Sequence, residues 1–182
     1  MQWFKKHKIL SIIGGLILLG IIVSAAGGGS KSNNSTSNSS SSSSSSKAET
    51  AKVGQPANDG KFEFTVKSVE CGKTSVGSNQ YLTKTAQGQY CLLNVSVKNI
   101  GDQAQSLVSS NQYLLNASGQ KYSADDTATL YNAPNGTSWY NDINPGNSVE
   151  GAIVFDLPKD QAPATAELHD SAFSGGVKVT LQ

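Results

Sequence analysis

Arginine is absent from this 182-residue chain, and all 14 of its basic residues are lysine. A protein without the forked guanidinium lacks the side chain best suited to clasping phosphates, and with acids in excess over residues 47–182 no nucleic-acid partner is expected. Cysteine and histidine are scarce, with two of each. They cannot complete a four-ligand zinc site, because His7 sits beside the leading hydrophobic run. No Gly-x-Ser-x-Gly element offers a strained nucleophile, and no Asp-x-Asp-x-Asp-Gly spacing offers a calcium loop. No segment of a dozen residues shows the 3.6-residue period of an amphipathic helix, and no cofactor motif appears, so no cofactor is expected. The net charge of +1 conceals an asymmetry. Residues 1–46 hold four lysines and no acid, whereas residues 47–182 hold ten lysines against 13 acids.

What is present begins with a leader. Residues 1–8 end in the basic cluster Lys5, Lys6, His7 and Lys8, the pattern of a cytoplasmic N-terminus. Residues 9–26 follow without a charge, long enough as a helix to reach about 27 Å and so nearly match a hydrocarbon core. This predicts an uncleaved transmembrane anchor through the lipid bilayer, with the C-terminal part outside the cell. The competing reading is a signal peptide cleaved near Val23-Ser24-Ala25, which would release a secreted protein. No cysteine follows the run, so a lipid-modified cysteine anchor is excluded. Residues 27–51 contain Ser30–Ser46, with 12 serines in 17 residues. Such a segment offers no apolar surface to offset the entropy of ordering and is expected to be a disordered linker, spanning about 25–30 Å as a coil. Asn33, Asn34, Asn38, Asn94, Asn116 and Asn135 lie in glycosylation-type sequons, relevant only where a host has that pathway.

From residue 52 to 182 the pattern changes to period two. Cys91, Leu93, Val95 and Val97 alternate with Asn94, Ser96 and Lys98, and Ile153 and Phe155 share a phase with Val149. Phe62, Phe64 and Val66 alternate with Glu63 and Thr65, but Val69 and Cys71 fall on the opposite phase, which predicts a bulge near Lys67 or Ser68. Val177, Val179 and Leu181 repeat the pattern at the C-terminus. Asn144-Pro145-Gly146 supplies a preset φ and then a residue that accepts positive φ, as a type II turn needs. Asn116–Gly119 reads as a hairpin turn. About seven short antiparallel strands in this length imply an all-β sandwich of two sheets. Cys71 at the end of one strand and Cys91 at the start of the next would meet face to face if those strands pair, and an exported compartment permits their oxidation. Two buried free thiols are the alternative, separated from a disulfide by a 2 Da mass change on reduction.

These residues also carry a family resemblance. Val53-Gly54, Gly60–Val66, Asn94–Asp102, Asn116–Gly119 with Tyr122, and Asn144–Gly146 followed by Val154–Pro158 together resemble an uncharacterised bacterial extracellular domain-of-unknown-function family. That family is similar to the immunoprotective extracellular antigen with an immunoglobulin-like fold. The resemblance spans nearly all of residues 52–182 and includes the basic leader, apolar run and low-complexity linker. It implies a surface-exposed immunoglobulin-like sandwich and transfers no site residues.

Candidate chemistry is sparse. His169-Asp170 with a serine could be drawn as a hydrolytic set, but a satisfied surface or edge histidine is the simpler expectation. Glu63, Glu70, Glu150 and Glu167 read as solvated outward faces, and Asp102, Asp125, Asp126 and Asp142 as turn residues rather than a metal cage. The remaining feature is the loop from Tyr131 to Asn144, which sets Tyr131, Trp139 and Tyr140 among Asn, Gly and Ser. Rigid aromatics among adaptable amides suit recognition of a protein or glycan, though either ring could instead cap the open end of the core. The sequence thus predicts a non-enzymatic, membrane-tethered extracellular module that binds or adheres through end loops. A secreted structural or host-interacting protein is the second reading, and an extracellular hydrolase the third.

Overall fold

The alternation around Phe62 and Leu93 produces one long hairpin, which forms the spine of the fold. The computed structural model describes residues 50–133, 139 and 141–182. Strands β3 (Phe62–Asn79) and β4 (Leu82–Asn99) run 18 residues each and pair antiparallel from Phe62 opposite Asn99 to Asn79 opposite Leu82. The register shifts between Val66 and Ser68, where the phase change in the sequence places a bulge. Strands β2 (Pro56–Asp59) and β7 (Ser148–Leu157) flank this hairpin to give a four-stranded sheet in the order β2-β3-β4-β7. The second sheet has five strands in the order β1-β9-β8-β5-β6, from β1 (Ala51–Lys52), β9 (Val177–Thr180), β8 (Pro163–Leu168), β5 (Tyr113–Asn116) and β6 (Lys121–Ser123). Nine described strands thus replace the seven expected, and the all-β sandwich stands.

The inward residues of both sheets, among them Phe62, Phe64, Leu93, Val95, Phe155, Leu168 and Val179, make one buried core. The unbroken apolar runs Tyr90–Leu93 and Ala152–Phe155 have a separate cause: both faces of the sheet are covered there. Tyr90, Leu92 and Val154 point away from the main core and pack with Val76 against Ala128 of a short helix α1 (Asp126–Asn132). Asp125 caps that helix by accepting from the Ala128 N–H at 2.9 Å. The capped turn was not evident in the sequence, since only Ala128 and Thr129 of its seven residues are buried. The segment before and within α1 also closes the free edge of β7: the Asp125 N–H donates to the Val154 carbonyl at 2.8 Å, and the Val154 N–H donates to Thr129 Oγ1 at 3.0 Å. An exposed strand edge would otherwise template association with another chain.

Cys71 and Cys91 form a disulfide. Neither stands at a strand end, as the sequence suggested. Both lie inside the continuous hairpin, Cys71 in the register shift between Glu70 and Lys73. The strands continue past them because cross-strand hydrogen bonding and the cover of α1 sustain an arm whose sequence, rich in Thr, Ser, Gly and Gln, shows little alternation. Asn144–Asn147 closes as expected, with Gly146 at φ 79° and the Asn147 N–H donating to the Asn144 carbonyl at 3.0 Å. No helix among the described residues is long and apolar enough to cross a membrane. The anchor and linker predicted for residues 9–26 and 27–51 lie outside the described residues, except for Thr50 and Ala51.

Candidate functional site

Two of the three aromatics proposed as contacts, Tyr131 and Trp139, are among the described residues. Tyr131 lies half-buried at the end of α1, and Tyr140 lies outside the described residues. Trp139 is 5% exposed and belongs to the main core. Its Nε1–H donates to the Ala152 carbonyl at 3.3 Å, and its ring lies on Gly151, where a Cβ would come within 3.0 Å of Cζ2. Trp139 is therefore a plug on β7 and not a presented contact, because an indole gains more by covering apolar core and satisfying one strand carbonyl than by remaining wet.

A different segment presents an aromatic to solvent. The connection between β8 and β9, residues 169–176, carries Phe173, which is 99% exposed. The loop is fastened at several points. Buried Gln112 accepts from the His169 N–H at 2.8 Å and donates from Nε2 to the His169 carbonyl at 2.9 Å and the Val108 carbonyl at 3.0 Å. The Asp170 N–H donates to Asp59 Oδ2 at 2.7 Å, and Asp170 Oδ2 accepts from the Lys61 N–H at 3.1 Å. Within the loop, both the N–H and the hydroxyl of Ser174 donate to the Ser171 carbonyl, at 3.3 and 3.1 Å. Gly176, at φ 69°, lies under the His169 ring, where a Cβ would fall 2.5 Å from Cε1. Exposed Ile100 and Val108 share this end of the sandwich, since the Ile100 N–H donates to the Lys61 carbonyl at 2.9 Å.

Under the loop lies the most connected polar cluster. His169 Nε2 is 3.1 Å from Glu167 Oε1 and Nδ1 is 3.2 Å from Ser174 Oγ, while Tyr113 packs edge-on at 5.6 Å between centroids. Glu167 is 8% exposed, and Oε1 also accepts from Lys121 Nζ at 2.6 Å while Lys178 Nζ lies 3.6 Å from Oε2. Lys121 in turn sits 4.5 Å above the Tyr113 ring. Burial pushes the Glu167 carboxyl upward, but hydrogen bonds from Lys121 and His169 and the charges of Lys121 and Lys178 outweigh it and hold the group below the usual carboxylate value. Glu167 is thus not the solvated outward glutamate expected, while His169, one residue past the end of β8 with both ring nitrogens partnered, is the satisfied edge histidine expected. Glu167 is buried and His169 half-buried where Lys121 on β6 and Lys178 on β9 converge on the carboxylate.

Ser174, His169 and Glu167 stand in the order of a hydrolytic relay, but its two outer members have other partners. The Ser174 hydroxyl donates to the Ser171 carbonyl, and the Glu167 charge is shared with two lysines. Most of the other candidate acids are also accounted for. Asp125 caps α1 and accepts from Lys84 Nζ at 2.6 and 2.7 Å, Asp126 bonds the Ser109 hydroxyl, and Glu150 pairs with Lys67 at 2.6 Å. Asp102 and Asp142 are exposed loop residues. Among the described residues, no three metal-ligating side chains cluster.

The family described as Domain of unknown function (DUF4352) matches residues 51–179. The chain belongs to this family. Among curated proteins nothing matches this DUF4352 chain. Among solved structures it is similar to the secreted protein MPT63 of Mycobacterium tuberculosis, with 15% identity and a TM-score of 0.53 over 75% of this chain and 99% of that one. It is also similar to the yjhA protein of Bacillus subtilis, with 17% identity and a TM-score of 0.49 over 72% and 99%. An uncharacterised β-sandwich protein of Clostridium difficile 630 gives 14% identity and a TM-score of 0.47 over 75% and 97%. The likeness to MPT63 is one of fold, and the DUF4352 domain shares its two-sheet sandwich.

Proposed function

We propose that residues 52–182 form a non-enzymatic extracellular binding module, tethered by residues 9–26 and 27–51, whose contact surface is the 169–176 loop with Phe173 as its apolar anchor. The observation that carries this reading is the state of Phe173: 99% exposed, at the tip of a loop whose flanking backbone is hydrogen-bonded to Gln112, Asp59 and Lys61. Single exposed apolar residues are ordinary on any surface. A phenyl ring held out by a fastened loop is different, since preorganisation lowers the entropy lost on binding. The Cys71–Cys91 disulfide supports an oxidising location outside the cytoplasm. The partner fitting this tip is an extracellular protein or glycan surface with an apolar recess.

The test is a binding isotherm of labelled residues 47–182 on isolated cell envelopes. Phe173→Ser should weaken saturable binding by about tenfold or more, as removal of a central anchor does. Unchanged binding would move the contact elsewhere. The secreted alternative is supported by Val23-Ser24-Ala25 and is separated by fractionation: full-length protein in the membrane pellet supports the tether, and an N-terminus at Ala26 or Gly27 in the medium defeats it.

A further inference from the structure

The hydrogen bonds of the polar cluster beneath Phe173 depend on the protonation state of His169. Ser174 has one hydroxyl proton, and it is donated to the Ser171 carbonyl at 3.1 Å. With that bond made, Ser174 Oγ accepts from His169 Nδ1 at 3.2 Å, an arrangement that requires a proton on Nδ1. On the other side of the ring, Glu167 Oε1 receives Lys121 Nζ at 2.6 Å and accepts from Nε2 at 3.1 Å, so Nε2 carries a proton as well. The full set of bonds exists only with the imidazolium. A neutral ring keeps only one of its two N–H bonds; the Glu167 carboxylate holds the proton on Nε2, and Nδ1 then has a lone pair facing an oxygen. The Ser174 hydroxyl must turn toward it and abandon the Ser171 carbonyl, or the contact is lost.

We propose that His169 is a pH-operated latch on the Phe173 loop: charged, it fastens the Ser171–Ser174 turn to β8, and neutral, it releases one of the turn's hydrogen bonds. This deepens the proposed contact surface and rests on it for its biological meaning. The groups that face the ring act in both directions. Glu167 on β8 favours the charged form, Lys121 on β6 and Lys178 on β9 oppose it through their approach to the same carboxylate, and Tyr113 on β5 packs edge-on. Asp170 and Asp59 hold the loop backbone through their own bonds and do not touch the ring nitrogens in this network. The contact surface would therefore be stiffer with the ring charged and looser with it neutral.

The latch is read without any partner, so its failure leaves the Phe173 contact standing and the failure of that contact leaves the latch standing. All described strands, both cores and the disulfide fall within residues 51–182, so a 47–182 fragment contains the whole fold, and His169 is its only histidine. Nitrogen-15 spectra of that ring and hydrogen exchange of the Ser171–Gly176 amides, corrected for intrinsic rates, are followed across the imidazole titration. Both ring nitrogens should be protonated at the acid end. Loop exchange should quicken by about fivefold with the same midpoint as the ring, as loss of one ordinary hydrogen bond implies. In Ser174→Ala the ring should still titrate while the loop amides no longer follow it. An Nδ1 that stays unprotonated at the acid end, loop amides indifferent to the ring, or a Ser174→Ala loop that still follows it would each overturn the latch.

Discussion

Trp139 and Phe173 have exchanged the roles that local composition suggests. Trp139 stands in a loop of Asn, Gly and Ser, yet is buried over Gly151, and no local pattern reveals the strand that receives it. Phe173 stands in Ser-Ala-Phe-Ser-Gly-Gly, which reads as a plain turn, yet it is the most exposed large apolar residue described. The bonds that hold its loop come from Asp59 and Lys61, 111 and 109 residues away in sequence, and so lie beyond any window of local periodicity. Two expectations follow at this scale. Fluorescence of residues 47–182, in which Trp139 is the only tryptophan, should be blue-shifted and resist acrylamide quenching, and Trp139→Ala should cost about 3–5 kcal/mol in chemical denaturation. Glu167 has a carboxyl held below its usual value, so its contribution to stability is complete above the unfolded carboxylate pKa and disappears as pH falls through the folded one. The stability difference between the wild type and Glu167→Gln should therefore be constant above about pH 5 and shrink below about pH 4. A difference that grows on acidification would reverse the assigned sign.

Among the elements, the strands whose faces alternate cleanly are legible from sequence, as are the turns at Asn116–Gly119 and Asn144–Asn147 and the bulge after Val66. Less legible are the outer half of the β3–β4 hairpin and the α1 helix, because each is stabilised mainly by the other. Val76, Tyr90 and Leu92 on the arm need Ala128 to cover them, and Asp125 needs Lys84. Tyr90, buried in this contact, has its phenol pushed up to about 12, first by desolvation and then by Asp125 and Asp156. The disulfide crosses the hairpin where the arm leaves the main core, Cys91 in that core and Cys71 in the neighbouring bulge. Reduction should add 2 Da, and Cys71→Ser with Cys91→Ala should lower stability by about 3 kcal/mol on the loop-entropy estimate. Amides of Lys73–Gln89 should lose exchange protection before those of Phe62–Val66. Uniform loss across both segments would show that the arm has no separate dependence on the bridge.

On the scale of the whole molecule, the chain divides into a lysine-bearing apolar leader, a serine-rich segment and a DUF4352 sandwich. The fold class follows from period-two alternation and turn chemistry together, since a half-buried sheet face leaves its imprint on every second residue. The proposed contact surface leaves no such imprint, because exposure of one ring depends on how distant loops meet at one end of two sheets. The central claim is that this end, through Phe173, is where the protein meets its partner. The most direct measurement is photo-crosslinking of intact cells with a benzophenone side chain placed at residue 173 and, as the comparison, at Tyr81 on the tip of the hairpin arm, which is 85% exposed. A discrete adduct from position 173 and none from position 81 is the predicted result. An adduct from position 81 alone, or from neither position, would contradict it.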